Sequence, residues 1–121
     1  MTLRDVVQRL ELGIVTGGTD LDREIAGGYV SDLLSDVIAH GDKGVLWITL
    51  QTHPNIIAVA TLKELAGIVL VNGRKPDAES VAKAQEEGTA LLTTPLSAFE
   101  VAGRLYGMGL QGRSHAEDLE S

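Results

Sequence analysis

The chain has no cysteine. That removes disulfides, thiolate nucleophiles, thiolate-ligated iron–sulfur clusters and cysteine-based zinc sites. Aromatic residues are almost as scarce, with one Trp, two Tyr and one Phe. Basic residues number 10 against 17 acidic ones, a net charge of −7. Nucleic-acid phosphates and anionic membrane surfaces reward clustered Lys and Arg, and only Arg74 and Lys75 are adjacent here. Neither nucleic acid nor membrane is expected as a partner. No apolar run approaches the ~18 residues a spanning helix needs. Met1-Thr2-Leu3-Arg4-Asp5 opens an amphipathic stretch and not the apolar core of a signal peptide, so the expectation is a cytoplasmic protein.

What is present is aliphatic. The 121 residues suit one domain whose core is Val, Ile, Leu and Ala, with Trp47 as its large anchor. Residues 2–10 place Leu3, Val6, Val7 and Leu10 at helical spacing, capped by Thr2 with Asp5. A short strand, Leu12 to Val15, runs into Thr16-Gly17-Gly18, which reads as a turn or as a backbone cradle for phosphate. Leu21 to Ile25 reads as a polar edge strand, and Ala26-Gly27-Gly28-Tyr29 as a second glycine turn. Ser31 is the expected cap of a helix to about His40, burying Leu33, Leu34, Val37 and Ile38, with Gly41 as its left-handed terminator. Asp32 and Asp36 fall on its solvated face, where a carboxylate pair is either plain surface or a metal site.

Three strand–turn–helix units follow at near-equal spacing, starting at Val45, Ile68 and Ala90. Gly88 closes the second helix, and Ser97 with Glu100 caps the third. The alternation predicts a compact single α/β domain over residues 1–110, a mainly parallel sheet with helices on both faces. Residues 111–121 are polar and read as a tail.

Ligands in such sheets bind beyond the carboxyl ends of the strands. The stretch from Val45 to Ala60 supplies the richest of these corners, with Thr49, Gln51, Thr52, His53 and Asn55 between two apolar runs. Pro54 suits a first helical position, which puts His53 at or beside the cap. There it is either a structural cap, a ligand contact, or a neutral base or phosphoryl acceptor working with free backbone N–H groups and Arg74. No nucleophile elbow or carboxylate pair accompanies it, and no cofactor or metal site is expected. A second corner, Asn72-Gly73-Arg74, is a turn signal whose Arg74 suits an anion. The candidate ligand-binding residues are therefore Thr49, Gln51, His53, Asn55, Asn72, Gly73 and Arg74, with no catalytic residue assigned.

Several segments together resemble the DRTGG-domain family. They are Val15-Thr16-Gly17-Gly18, Asp22-Arg23, the run Gly27 to Val37 containing Ser31-Asp32-Leu33-Leu34-Ser35-Asp36, the run Trp47 to Ala60, and Val71-Asn72-Gly73-Arg74. A contiguous Asp-Arg-Thr-Gly-Gly is absent; Glu24-Ile25-Ala26 separates Asp22-Arg23 from Gly27-Gly28. Similar domains stand alone in anaerobic bacteria, are fused to regulatory CBS-domain pyrophosphatases and phosphotransacetylases, and are similar in fold to the amino-terminal domain of HPr kinase/phosphorylase. The resemblance implies a non-catalytic regulatory or dimerisation module, homodimeric and sensing a small ligand, with a protein partner in an anaerobic or phosphometabolite pathway. The alternatives are a small anionic metabolite or nucleotide binder, or a phosphotransfer enzyme using His53.

Overall fold

A computed structural model describes residues 1–18 and 20–112. Five strands form one sheet: β1 (Gly13–Thr16), β2 (Gly27–Val30), β3 (Val45–Thr49), β4 (Gly67–Leu70) and β5 (Leu91–Thr93), in the order β1-β5-β4-β3-β2. β2 to β5 are mutually parallel, and β1 lies antiparallel to β5 with an irregularity between Ile14 and Thr16. The helices are α1 (Leu3–Leu10), α2 (Leu34–His40), α3 (Asn55–Lys63), α4 (Ala78–Glu87) and α5 (Ala98–Gly107). The expected α/β architecture is present.

Each successive parallel strand is laid down one place further along the sheet. Right-handed crossovers in one direction put their helices on one face. Val37 of α2, Ile56, Ile57, Val59 and Ala60 of α3, and Ala84 of α4 accordingly share one cluster with Trp47, Ile68, Leu70 and Leu91. The other face packs Leu3, Val6, Val7 and Leu10 of α1 and Val101 and Leu105 of α5 on Leu46, Ile48, Val69 and Leu92. β3 and β4 are buried on both faces, which is why they read as unbroken apolar runs.

Local signals held at several helix ends. Thr2 and Asp5 form a complete capping box, Ser97 Oγ accepts the Glu100 amide at 3.2 Å, and Gly88 closes α4 at φ 71°.

Three expectations change. Residues 21–25 are not a strand. Leu21 and Ile25 are buried, and the segment wraps the start of α1: the Leu3 and Arg4 amides donate to Arg23 O and Leu21 O at 3.0 and 2.7 Å. Those amides have no partner within their own helix, so the segment serves as its cap. The glycine turn expected at 26–29 is instead β2. It pairs with Val45 to Ile48, while its outer edge donates from Gly28 N to Gln111 O at 2.9 Å. α2 begins at Leu34, so Leu33 and Ile38 are exposed, and Gly41 is extended at φ −70°. Gly41 is nonetheless tightly placed, because a Cβ there would lie 2.8 Å from Val37 O. Of the expected tail, Gln111 and Gly112 lie against β2, and residues 113–121, with His115, are outside the described residues.

Candidate functional site

The corner after β3 is built by an aspartate that the helical reading had placed on a solvated face. Because α2 starts late, Ser31 and Asp32 remain in the loop after β2, beside the end of β3. Asp32 Oδ1 accepts the Thr49 hydroxyl at 2.9 Å and the Leu50 amide at 2.8 Å. Its carbonyl accepts Gln51 Nε2 at 2.9 Å, and the neighbouring Ser31 carbonyl accepts the Trp47 indole N–H at 2.8 Å. Asp36 does not join Asp32; it accepts the Tyr29 hydroxyl at 2.7 Å. That bond holds the Asp36 carboxyl below its ordinary range, and burial together with the same bond pushes Tyr29 up to about 12. Among the described residues no group of three or more metal-ligating side chains assembles.

His53 is exposed and works as a cap. Its Nδ1 accepts the Asn55 amide at 3.1 Å. The next amides of α3 are also engaged, Ile56 to His53 O at 3.1 Å and Ile57 to Pro54 O at 3.0 Å. Pro54 has no N–H, so the first turn of α3 offers no free amide for an anion. Of the roles open to His53 in the sequence, this geometry is that of the structural cap, and the free backbone N–H groups that the phosphoryl-acceptor alternative invoked are not present in this turn. Thr49 is buried, Gln51 is half-buried, and Asn55 is exposed. Below the corner, the fully buried Ser80 donates to Thr52 O at 2.6 Å, and the Asp77 amide reaches the same carbonyl at 3.3 Å.

The second corner is separate from the first. Asn72 and Gly73 both have positive φ, 58° and 67°, and the Arg74 amide closes the turn onto Val71 O at 3.1 Å. Asn72 N and Gly73 N donate to Leu96 O and Thr94 O at 2.8 and 2.9 Å. The turn is thereby fixed to the loop after β5, and Arg74 is left exposed at its end. Gly73, Arg74 and Lys75 line a cleft of about 340 Å³ whose other walls are Glu11, Gly13, Thr93, Thr94 and Pro95. None of Thr49, Gln51, His53 or Asn55 lines it. The structure thus brings Gly73 and Arg74 together with Glu11 and Thr93, and leaves the His53 corner to itself. Glu11 was missed in the sequence; its only local trace is its place just past the last apolar residue of α1.

Gly17 is a glycine for packing reasons. At φ 82° it packs on Ala90, where an added Cβ would lie 2.5 Å from Ala90 Cα. That is a close approach of two backbones.

No protein-family model and no curated protein matches the sequence. Solved structures do match in three dimensions, among them the CBS and DRTGG domains of the regulatory region of Clostridium perfringens pyrophosphatase, complexed with the activator diadenosine tetraphosphate. The TM-score is 0.67 at 16% identity, over 91% of this chain and 47% of that one. The fold is DRTGG-like. The chain spans about half the length of that regulatory region, and the likeness is one of backbone architecture. Among the described residues no helix is long and apolar enough to cross a membrane.

Proposed function

We propose that this chain is a non-catalytic regulatory module that senses a small anionic ligand at the carboxyl end of its sheet. The observation that carries the reading is the contrast between the two corners. In the His53 corner Thr49 Oγ1, Gln51 Nε2 and His53 Nδ1 are engaged by Asp32 and by the corner's own backbone. Arg74 and Lys75, like Arg9, Lys63 and Lys83, make no ion pair among the described residues, but of these five only Arg74 and Lys75 line the cleft. A DRTGG-like neighbour crystallised with a nucleotide activator supports a regulatory, ligand-sensing role. Thermal denaturation against a panel of phosphorylated metabolites and nucleotides tests it. A ligand at a hundredfold excess over Kd stabilises by about 2.7 kcal/mol. A panel that leaves the transition unmoved rejects the reading. His53→Ala is expected to bind normally, whereas loss of binding in that variant favours a phosphotransfer role.

A homodimer is the second part of the proposal, and the outer face of α5 favours it. Phe99 is 86% exposed and Tyr106 68% exposed on that helix, in a chain with only one Phe and two Tyr. Beside them Val30, Ile48, Ala102, Leu105 and Leu110 line an apolar groove of about 200 Å³. Large aromatic side chains exposed beside an apolar groove suit an interface. Sedimentation at micromolar concentration should give a dimer that Phe99→Glu with Tyr106→Glu dissociates; a monomer in the parent chain rejects it.

A further inference from the structure

The cleft at Arg74 has a position and a charge pattern that narrow its ligand, given the sensing role proposed above. In open α/β sheets ligands bind beyond the carboxyl ends of the parallel strands. At that end of this sheet β5 stands beside the start of the antiparallel edge strand β1. The cleft lies there, with Thr93 at the end of β5 facing Gly13 at the start of β1.

Its two walls carry opposite charge and do not touch. Arg74 and Lys75 stand on one side, and no ion pair within 4.0 Å joins either to Glu11 on the other. Glu11 is itself unpaired among the described residues and is held by the end of α1 in the left-handed conformation, φ 54°. That conformation strains a residue with a Cβ, and the backbone is held in it by the hydrogen bond that the Glu11 N–H donates to Val7 O. The Thr93 hydroxyl has no hydrogen-bond partner among the described residues, and it points toward Gly13: a Cβ placed on Gly13 would meet Thr93 Oγ1 at 2.7 Å. The cleft therefore offers an anion seat, a hydroxyl and a carboxylate.

We infer that the cleft between Arg74-Lys75 and Glu11 binds a small phosphorylated compound that also carries a hydroxyl or amino group, and not a nucleobase. An arginine fork and a lysine ammonium match a phosphate dianion. The Glu11 carboxylate only accepts hydrogen bonds, so it repels a ligand that is anionic throughout and rewards a donor at the far end. A nucleobase needs an aromatic or apolar slot. No aromatic residue lines this cleft; Trp47 is buried, and Phe99 and Tyr106 lie on α5.

The test follows backbone amide resonances of the isotope-labelled chain during titration with inorganic phosphate, glycerol, glycerol phosphate and AMP. Glycerol phosphate is expected to shift Glu11, Gly73, Arg74, Lys75 and Thr93, and to bind roughly tenfold tighter than inorganic phosphate. Arg74→Ala should weaken both phosphate compounds by about tenfold or more. Glu11→Gln keeps the backbone strain and removes the charge; it should reduce glycerol phosphate to the level of inorganic phosphate without weakening the latter. Both side chains are exposed, and the same spectra report that each variant is folded. Equal affinity for phosphate and glycerol phosphate, indifference to Glu11→Gln, or tighter binding of AMP overturns the inference. Shifts by any of these compounds confined to residues outside the cleft overturn the cleft assignment and leave ligand sensing standing. No shift from any compound in these titrations or in the wider panel overturns both.

Discussion

The Asp32 carboxylate accepts the Thr49 hydroxyl at 2.9 Å, and the same oxygen takes the Leu50 amide at 2.8 Å. This pairing ties the loop after β2 to the end of β3. Thr49 is 1% exposed, so its hydroxyl needs that partner. Asp32→Ala is expected to cost about 1–2 kcal/mol, more than an ordinary surface substitution, since it leaves one hydroxyl and one amide without their acceptor. Urea denaturation followed by Trp47 fluorescence measures it. A change below about 0.5 kcal/mol would mean that solvent replaces the carboxylate.

Ser80 tests the floor of the same corner. Its hydroxyl is fully buried and donates to Thr52 O at 2.6 Å. Ser80→Ala should lose about 1 kcal/mol, because Thr52 O then keeps only the longer bond from the Asp77 amide at 3.3 Å. Ser80→Thr keeps the donor but adds a methyl group at a buried position, and should also destabilise. Urea midpoints for the two variants compare a lost bond with overpacking, and parent-like stability in Ser80→Ala would show the bond to be unimportant.

Gly17 is expected to tolerate no side chain. Its φ of 82° is unfavourable for one, and Ala90 Cα blocks the space at 2.5 Å. Gly17→Ala combines left-handed strain with a backbone clash, together about 3 kcal/mol or more. Gly73, also at positive φ but with nothing within 4 Å, should lose only about 1 kcal/mol on substitution by Ala. The ordering of the two midpoints is the check, and equal losses would contradict the contact.

The Tyr29–Asp36 bond makes a pH prediction. Asp36 has a depressed folded value, caused first by the Tyr29 hydroxyl. Its contribution is therefore present above the ordinary carboxylate range near 4 and is lost as pH falls through the lower folded value. Tyr29 is shifted the other way, to about 12, first by burial and then by its bond to Asp36. Its contribution is complete below about pH 10 and is lost as pH rises toward the folded value. Tyr29→Phe should shallow the stability profile on both limbs. Asp5, lowered by its bonds to Thr2, and Asp22, lowered by Arg4, keep part of the acid limb in the variant. Urea midpoints across pH decide it; superimposable profiles would rule the bond out as their cause.

How much was legible in the sequence depends on how far apart the interacting residues lie. Helix ends follow from partners three or four residues away, so Thr2 with Asp5, Ser97 with Glu100 and the Gly88 terminator could be read directly. The apolar runs from Val45, Ile68 and Ala90 announced buried strands, and their alternation with helices set the α/β class. Asn72-Gly73 announced its own turn, because two successive left-handed residues suit that pair. What the chain's order did not carry was decided by contacts across the molecule. Gly27-Gly28 is a strand because Val45 and Leu46 pair with it on one side and Gln111 closes the other. Residues 21–25 are a cap because the amides opening α1 take their carbonyls. Asp32 left the helix face for the β3 corner, since α2 starts after Leu33. Glu11 reached the Arg74 cleft because β1 turns back against β5. Local propensity determines which element a segment favours; burial and hydrogen-bond satisfaction, settled only when the sheet is assembled, determine which residues meet.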